Sequence, residues 1–177
     1  ETKLVTLTAS SSSSLDFTSN IDSTYNIYKF RFINIHPSNN ATRLKYNVSV
    51  DGGSNYNVAK TTTSFQAYHN ESDSATGLLY ETGTDLAQGT GSQFLGGDIS
   101  NANDGCMSGT MFLFDPSSTT FVKHIIATCY SMTNGDFATF HNTGTGYANT
   151  TSAVDAVQFT MSSGTIDSGT IEMYGIN

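Results

Sequence analysis

The chain has 177 residues, of which 7 are Lys or Arg and 15 are Asp or Glu, so its formal charge is −8. Nucleic-acid binding draws most of its affinity from basic side chains that neutralise phosphates, so we expect no nucleic-acid partner. No stretch approaches the about 18 consecutive apolar residues of a membrane span, and the first residues lack the regions of a signal peptide. We therefore expect a soluble protein without membrane insertion.

The polar part of the composition consists mainly of hydroxyl and amide groups, with 23 Ser, 26 Thr and 15 Asn. Disordered chains combine low hydrophobicity with few aromatic residues, whereas 9 Tyr and 11 Phe are spread along this one. A chain of this length can bury a core without disulfides or metals. We predict one folded domain over residues 1–177.

The predicted elements are strands, because no window of a dozen residues has a sustained helical pattern of apolar residues. In chain order they are 2–8, 25–35, 43–50, 64–69, 78–81, 108–114, 120–131, 153–161 and 169–176. In the second strand, Tyr28, Phe30 and Phe32 share one face. About ten short antiparallel strands predict an all-β, two-sheet antiparallel β-sandwich that is jelly-roll-like, with a closed barrel as the alternative.

Two connections that contain proline predict hairpins, one at 32–42 and one at 111–120. Proline favours the first central position of a type I turn, so we place the second loop at 116–119. The resulting register sets Cys106 opposite Cys129. Opposed residues have Cβ atoms about 4.5–5.5 Å apart, so a cross-strand disulfide and two small buried thiols are both open, and we favour the thiols.

Catalytic and metal-binding patterns are missing from the sequence. The four histidines stand in separate segments, and neither Gly-x-Ser-x-Gly nor HExxH occurs. We interpret His36 as a turn residue and His124 as a strand residue. The polar clusters at 69–73 and 98–104 do not match a calcium loop and are predicted to be solvated. We therefore expect no catalytic residues, no metal and no cofactor.

A surface rich in Tyr, Asn, Ser, Thr and Gly combines amphipathic contacts with adaptable hydrogen bonds, as recognition loops do. Such a surface suits a sugar or a protein. We take Tyr56, Tyr68 and Tyr80 as candidate ligand-binding residues, whose rings would stack on the sugar rings of a glycan.

Several segments together resemble a family of small virion structural or tail-fibre-like proteins of tailed bacteriophages of marine bacteria. These segments are 9–19, 21–25, 32–37, 51–56, 67–69, 114–124, 149–153 and 161–170. The similarity extends over almost the whole chain. It implies a place on the virion and brings no catalytic residues with it.

The resemblance and the composition together predict a non-enzymatic virion structural protein on the particle surface. It would decorate the head or belong to a tail fibre and aid host attachment. Its expected partners are other virion proteins of the capsid or tail and further copies of itself, with a trimer as the first expectation. The alternative is a carbohydrate-binding module that recognises host surface polysaccharide. A hydrolase such as a depolymerase carries the least weight.

Overall fold

In a computed structural model, which describes residues 1–133 and 138–177, the chain forms twelve β-strands. They are β1 (Thr2–Thr8), β2 (Leu15–Phe17), β3 (Ile27–Pro37), β4 (Leu44–Ser49), β5 (Lys60–Asn70), β6 (Thr76–Tyr80), β7 (Gln93–Phe94), β8 (Met107–Phe114), β9 (Lys123–Met132), β10 (Ala138–Ala148), β11 (Ala156–Met161) and β12 (Ile166–Ile176).

The strands form two antiparallel sheets, which confirms the predicted β-sandwich. The larger sheet has eight strands in the order β1-β12-β3-β8-β9-β10-β5-β6, and the smaller has four in the order β2-β11-β4-β7. The chain crosses from one sheet to the other between β1 and β2, between β3 and β4, between β7 and β8, and between β11 and β12. This alternation is the arrangement of a jelly roll built from two sheets of four strands.

Two further hairpins, β5-β6 and β9-β10, are inserted into the jelly roll and extend the larger sheet beyond β8. We call β1-β12-β3-β8 the jelly-roll half of this sheet and β9-β10-β5-β6 the extension. The inner face of the sheet points toward the smaller sheet and the chain around residues 84–105, and the outer face points away from them.

Aromatic side chains join the two sheets in the centre of the jelly roll. Phe30 of β3 lies edge-on to Phe17 of β2 and to Phe159 of β11, with ring centroids 5.3 and 5.4 Å apart. Phe32 also lies 5.3 Å from Phe159. Tyr28, Phe30 and Phe32 are all buried, so the predicted apolar face of β3 is confirmed.

The two predicted hairpins have different outcomes. Residues 32–37 belong to β3, and residues 38–43 connect it to β4 in the other sheet, so the hairpin predicted at 32–42 is wrong. The second hairpin forms between β8 and β9, but Cys129 lies opposite Gly109. The predicted pairing of Cys106 with Cys129 is therefore wrong, and both thiols are free. Burial raises the pKa of the Cys129 thiol to about 12.

Strand prediction missed β2, β7 and β10. The first two have only three and two residues, whereas β10 has eleven and lies in the middle of the extension. The interpretation of His36 as a turn residue is also wrong, because it lies within β3. Its Nε2 atom is 3.1 Å from the carbonyl oxygen of Ala102.

Candidate functional site

The outer face of the extension carries no charged side chain. Directly opposed residues of antiparallel strands lie on one face, and the register across β9, β10, β5 and β6 is continuous. The residues on this face are His124, Ile126, Thr128, Tyr130 and Met132 of β9, Thr139, His141, Thr143, Thr145 and Tyr147 of β10, Thr61, Thr63, Phe65, Ala67 and His69 of β5, and Thr76, Leu78 and Tyr80 of β6. We call this surface the uncharged face.

Large apolar side chains on the uncharged face are open to solvent. Phe65, Leu78, Tyr80, Ile126 and Tyr130 are between 39% and 75% exposed. Scattered apolar residues are normal on a protein surface, whereas a contiguous apolar patch marks an interaction site. Phe65, Leu78 and Tyr80 are neighbours on β5 and β6 and form a contiguous patch, and Ile126 and Tyr130 lie on the same face on β9, across β10.

Several rings on the uncharged face are held in place by their neighbours. Tyr130 and His141, which oppose each other on β9 and β10, lie with ring centroids 5.0 Å apart and planes inclined by 30°. The Tyr80 hydroxyl donates a hydrogen bond of 2.6 Å to the Asp85 carboxylate. A partner that binds these fixed rings loses little side-chain entropy in ordering them.

Buried polar side chains lie on the inner face of β5 and β10, whereas β9 contributes the apolar Ile125 and Ala127 to the core. Asn142 of β10 accepts a hydrogen bond of 2.8 Å from the Gly97 backbone and donates one of 3.1 Å to Gln66 of β5. Thr62 donates a hydrogen bond of 2.6 Å to Gln93. Because buried polar groups need partners, this network fixes which side of β5 and β10 faces inward, and Phe65 is thereby turned outward.

A buried lysine completes the inner face of β5. Lys60 has no exposed surface, and its ammonium group donates hydrogen bonds to the Asn47 side chain at 2.5 Å and to the Val58 carbonyl at 2.7 Å. Burial lowers the pKa of Lys60 to about 8. Neutral oxygens therefore accept the hydrogen bonds of the ammonium group, and removing this charge from water costs free energy of folding.

A second buried lysine, Lys123, shapes the loop between β8 and β9. It opposes Ala148 on β10, as Lys60 does from the other side, and its ammonium group donates to the carbonyls of Ser118 and Phe121 at 2.6 and 2.9 Å. Burial lowers its pKa. Because the Lys123 ammonium group binds both carbonyls, it stabilises a loop that is longer than the predicted four-residue turn. The longer loop accounts for the shifted register of the hairpin.

The three tyrosines predicted from the sequence do not come together. Tyr80 lies on the uncharged face. Tyr68 lies on the opposite face of β5, edge-on to Phe140 with ring centroids 6.1 Å apart. The hydroxyl of Tyr56 is buried without a hydrogen-bond partner among the described residues, and burial raises its pKa to about 12. A binding groove formed by all three rings is not present.

Sequence reasoning missed the other ring-bearing residues of the uncharged face, of which Phe65, Tyr130 and His141 are the main ones. The first two lie in predicted strands, and their alternation with polar neighbours was the available signal. That alternation gives two faces without showing which is exposed. His141 belongs to β10, which the sequence did not predict.

The histidines and acidic residues have separate local partners. His69 lies 3.0 Å from Asp73 in the same turn, and His124 lies edge-on to Tyr147 on the outer face of the sheet, as a strand residue. In the parts of the chain that the structure describes, no group of three or more His, Cys, Asp or Glu side chains could hold a metal ion. Across those same residues, no helix is long and apolar enough to cross a membrane.

Neither a protein-family model nor a curated protein sequence matches the chain. Among solved structures, the chain is similar to a structural-genomics protein of unknown function from Bacteroides ovatus, with 8% sequence identity and a TM-score of 0.32. That match covers 60% of this chain and 45% of the Bacteroides protein, so this chain spans less than half of its length.

Proposed function

We propose that the protein is a non-enzymatic structural protein on the surface of a bacteriophage particle, where it decorates the head or belongs to a tail fibre and aids host attachment. The observation that carries this proposal is the uncharged face, with five large apolar side chains open to solvent. In a chain with a formal charge of −8, a face without charge is a surface on which another protein can pack without burying unpaired charges. The resemblance to virion proteins supplies the setting.

The proposal is tested on purified particles. Quantitative mass spectrometry measures the copies of the protein in each particle, and antibody labelling in electron micrographs separates the head from the tail. We expect a fixed copy number and label confined to one location. Particles that lack the protein altogether would refute the virion role.

A pair of variants tests the uncharged face itself. Tyr130→Lys places a charge on the uncharged face, and Val50→Lys places the same charge at an exposed apolar residue outside it. We expect Tyr130→Lys to reduce incorporation into particles and Val50→Lys to leave it unchanged. Equal incorporation of both variants would show that the uncharged face is not the contact.

The second candidate is a carbohydrate-binding module for host surface polysaccharide. The observation that favours it is that Phe65, Tyr80, Tyr130 and His141 lie on one face. From β6 to β9 the face spans three strand spacings, about 14 Å, and aromatic rings with an apolar body and a polar edge suit sugar rings. Titration with host polysaccharide, followed calorimetrically, is expected to give binding that Tyr130→Ala abolishes and Phe121→Ala preserves. No binding by the wild type would reject this candidate.

A further inference from the structure

One edge of the larger sheet lacks the features that keep sheet edges from pairing. An edge strand exposes unpaired N–H and C=O groups, and proteins protect such edges with charges, proline, bulges or very short strands. The β1 edge has Lys3 and a bulge next to it. The edge strands β2 and β7 of the smaller sheet have only three and two residues. The remaining edge, β6, has the sequence Thr-Gly-Leu-Leu-Tyr and none of these protections.

The hydrogen bonds between β5 and β6 show which groups of β6 are free. The N–H of Glu81 donates to the carbonyl of Ser64, and the N–H of Asn70 donates to the carbonyl of Ala75. Because inward and outward groups alternate along a strand, the odd-numbered residues of β6 bond to β5. The backbone groups of Thr76, Leu78 and Tyr80 therefore point to the open edge, and within the described chain they have no partner.

We propose that β6 is a self-association edge, at which a second copy of this chain adds its own β6 in antiparallel orientation. A two-fold axis at Leu78 sets Leu78 opposite Leu78 of the second copy and Thr76 opposite Tyr80 of the second copy. This register uses every outward N–H and C=O group of the strand on both copies. The contact is isologous and closes as a dimer, which takes the place of the trimer expected from the sequence.

Charge and exposure both agree with this register. Across residues 75–81 the only carboxylate, that of Glu81, lies opposite Ala75 of the second copy, so no carboxylate opposes another within the paired strands. Leu78 is 75% exposed, and pairing covers it with its own copy. The two uncharged faces become one continuous surface across the dimer.

The area of the contact sets its strength. A strand of five residues buries less than the roughly 1,200–2,000 Å² of stable protein complexes. The dimer is therefore weak in solution and forms in a concentration-dependent way, and it becomes effective where many copies are held close together.

Sedimentation velocity on the purified chain over a dilution series tests the inference apart from any role in a particle. We expect a reversible shift from monomer to dimer, which Leu78→Lys abolishes by placing two like charges side by side. Phe121→Lys, at an exposed apolar residue of the β8-β9 loop, is the matched control and keeps the dimer. A wild type that stays monomeric or forms trimers, or a dimer that persists in Leu78→Lys, overturns the proposal.

Cross-linking tests the register. In a Cys106→Ser background, a short bis-maleimide is expected to join Leu78→Cys chains, whose substituted positions face each other. Thr76→Cys chains are expected to stay unlinked, since those positions lie four residues apart along the pair, about 14 Å. Equal linking of both variants would contradict the two-fold axis at Leu78.

Discussion

Strand β3 of the jelly-roll half and strand β5 of the extension place their large apolar side chains on opposite faces of the eight-stranded sheet. In the jelly-roll half, Phe30 points inward against the smaller sheet, while Arg31 and Glu172 form an ion pair of 3.7 Å on the outer side. In the extension, Asn142 points inward and Phe65 outward. Both halves keep the two-residue alternation of a strand, so the element that covers each half decides which set is buried. Phe17 and Phe159 of the smaller sheet pack on β3, whereas Gln93 and the Gly97 backbone bond to the inner side of β5 and β10.

The largest effect expected from this comparison comes from one substitution made in each half. Phe30→Ala removes a fully buried ring and is expected to lower the free energy of unfolding by about 3–5 kcal/mol. Phe65→Ala removes a ring that is 47% exposed, and we expect a loss below about 1 kcal/mol. Urea unfolding of the two variants measures the difference. If both variants lose a similar free energy of unfolding, Phe65 is buried in solution by a contact that is absent from the single folded chain.

The polar interior of the extension is tested by Asn142→Ala. The variant leaves the Gly97 N–H and the Gln66 side-chain oxygen without their partner, which is expected to cost about 1–3 kcal/mol in the free energy of unfolding. Thr143→Ala, the adjacent residue on the outer face, is the control and is expected to change little. The same urea series measures both variants. If Asn142→Ala were neutral, the network would not hold the inner face.

The difference between the halves also explains what the sequence could predict. In β3, Tyr28, Phe30 and Phe32 alternate with charged residues. One face of the strand is therefore aromatic and the other charged, and this contrast identifies the aromatic face as the buried one. In β10, Gly144 and Gly146 interrupt a run of Thr, and glycine is depleted in strands, so propensity alone misses this element. Its strand conformation depends on pairing with β5 and β9 along its whole length.

Register and exposure depended on contacts that are distant in sequence. The loop between β8 and β9 is set by Lys123, whose ammonium group also reaches the carbonyl of Thr150. A local turn rule at Pro116 cannot include that contact. In the same way, the outward position of Tyr130 follows from the layer that packs on the other side of β9, which the sequence of β9 does not contain.

The buried Lys60 gives the extension a pH dependence of its own. Its pKa is about 8 in the folded chain against 10.5 for the ordinary side chain, so between these values the unfolded chain binds more protons. The free energy of unfolding is therefore expected to rise with pH in this window, by about 1 kcal/mol per pH unit, relative to a Lys60→Met variant. Urea unfolding of both proteins from pH 8 to 10 measures the difference. Cys129, whose thiol titrates in this range only in the unfolded chain, is common to both proteins, and parallel curves would contradict the prediction.

The smallest effect is expected on the charged outer side of the jelly-roll half. The Lys3 ammonium group 2.8 Å away, and then the hydroxyl of Tyr174, lower the pKa of Glu172. The stability that this shift contributes is present above the ordinary glutamate pKa and is lost as the pH falls through the lowered value. Glu172→Gln should therefore destabilise the chain slightly at neutral pH, less so in high salt, because salt screens exposed pairs.

The control for that substitution is Glu71→Gln, in the turn after β5, where the glutamate has no ion-pair partner among the described residues. We expect no salt-dependent loss there, as measured by thermal unfolding in low and high salt. A loss at Glu172 that ignores salt would point to its hydrogen bond with Tyr174 instead of its charge. The outer side of the jelly-roll half would then depend on hydrogen bonding. In that case its ion pairs would serve mainly to prevent a second chain from packing there, whereas the uncharged face of the extension allows such packing.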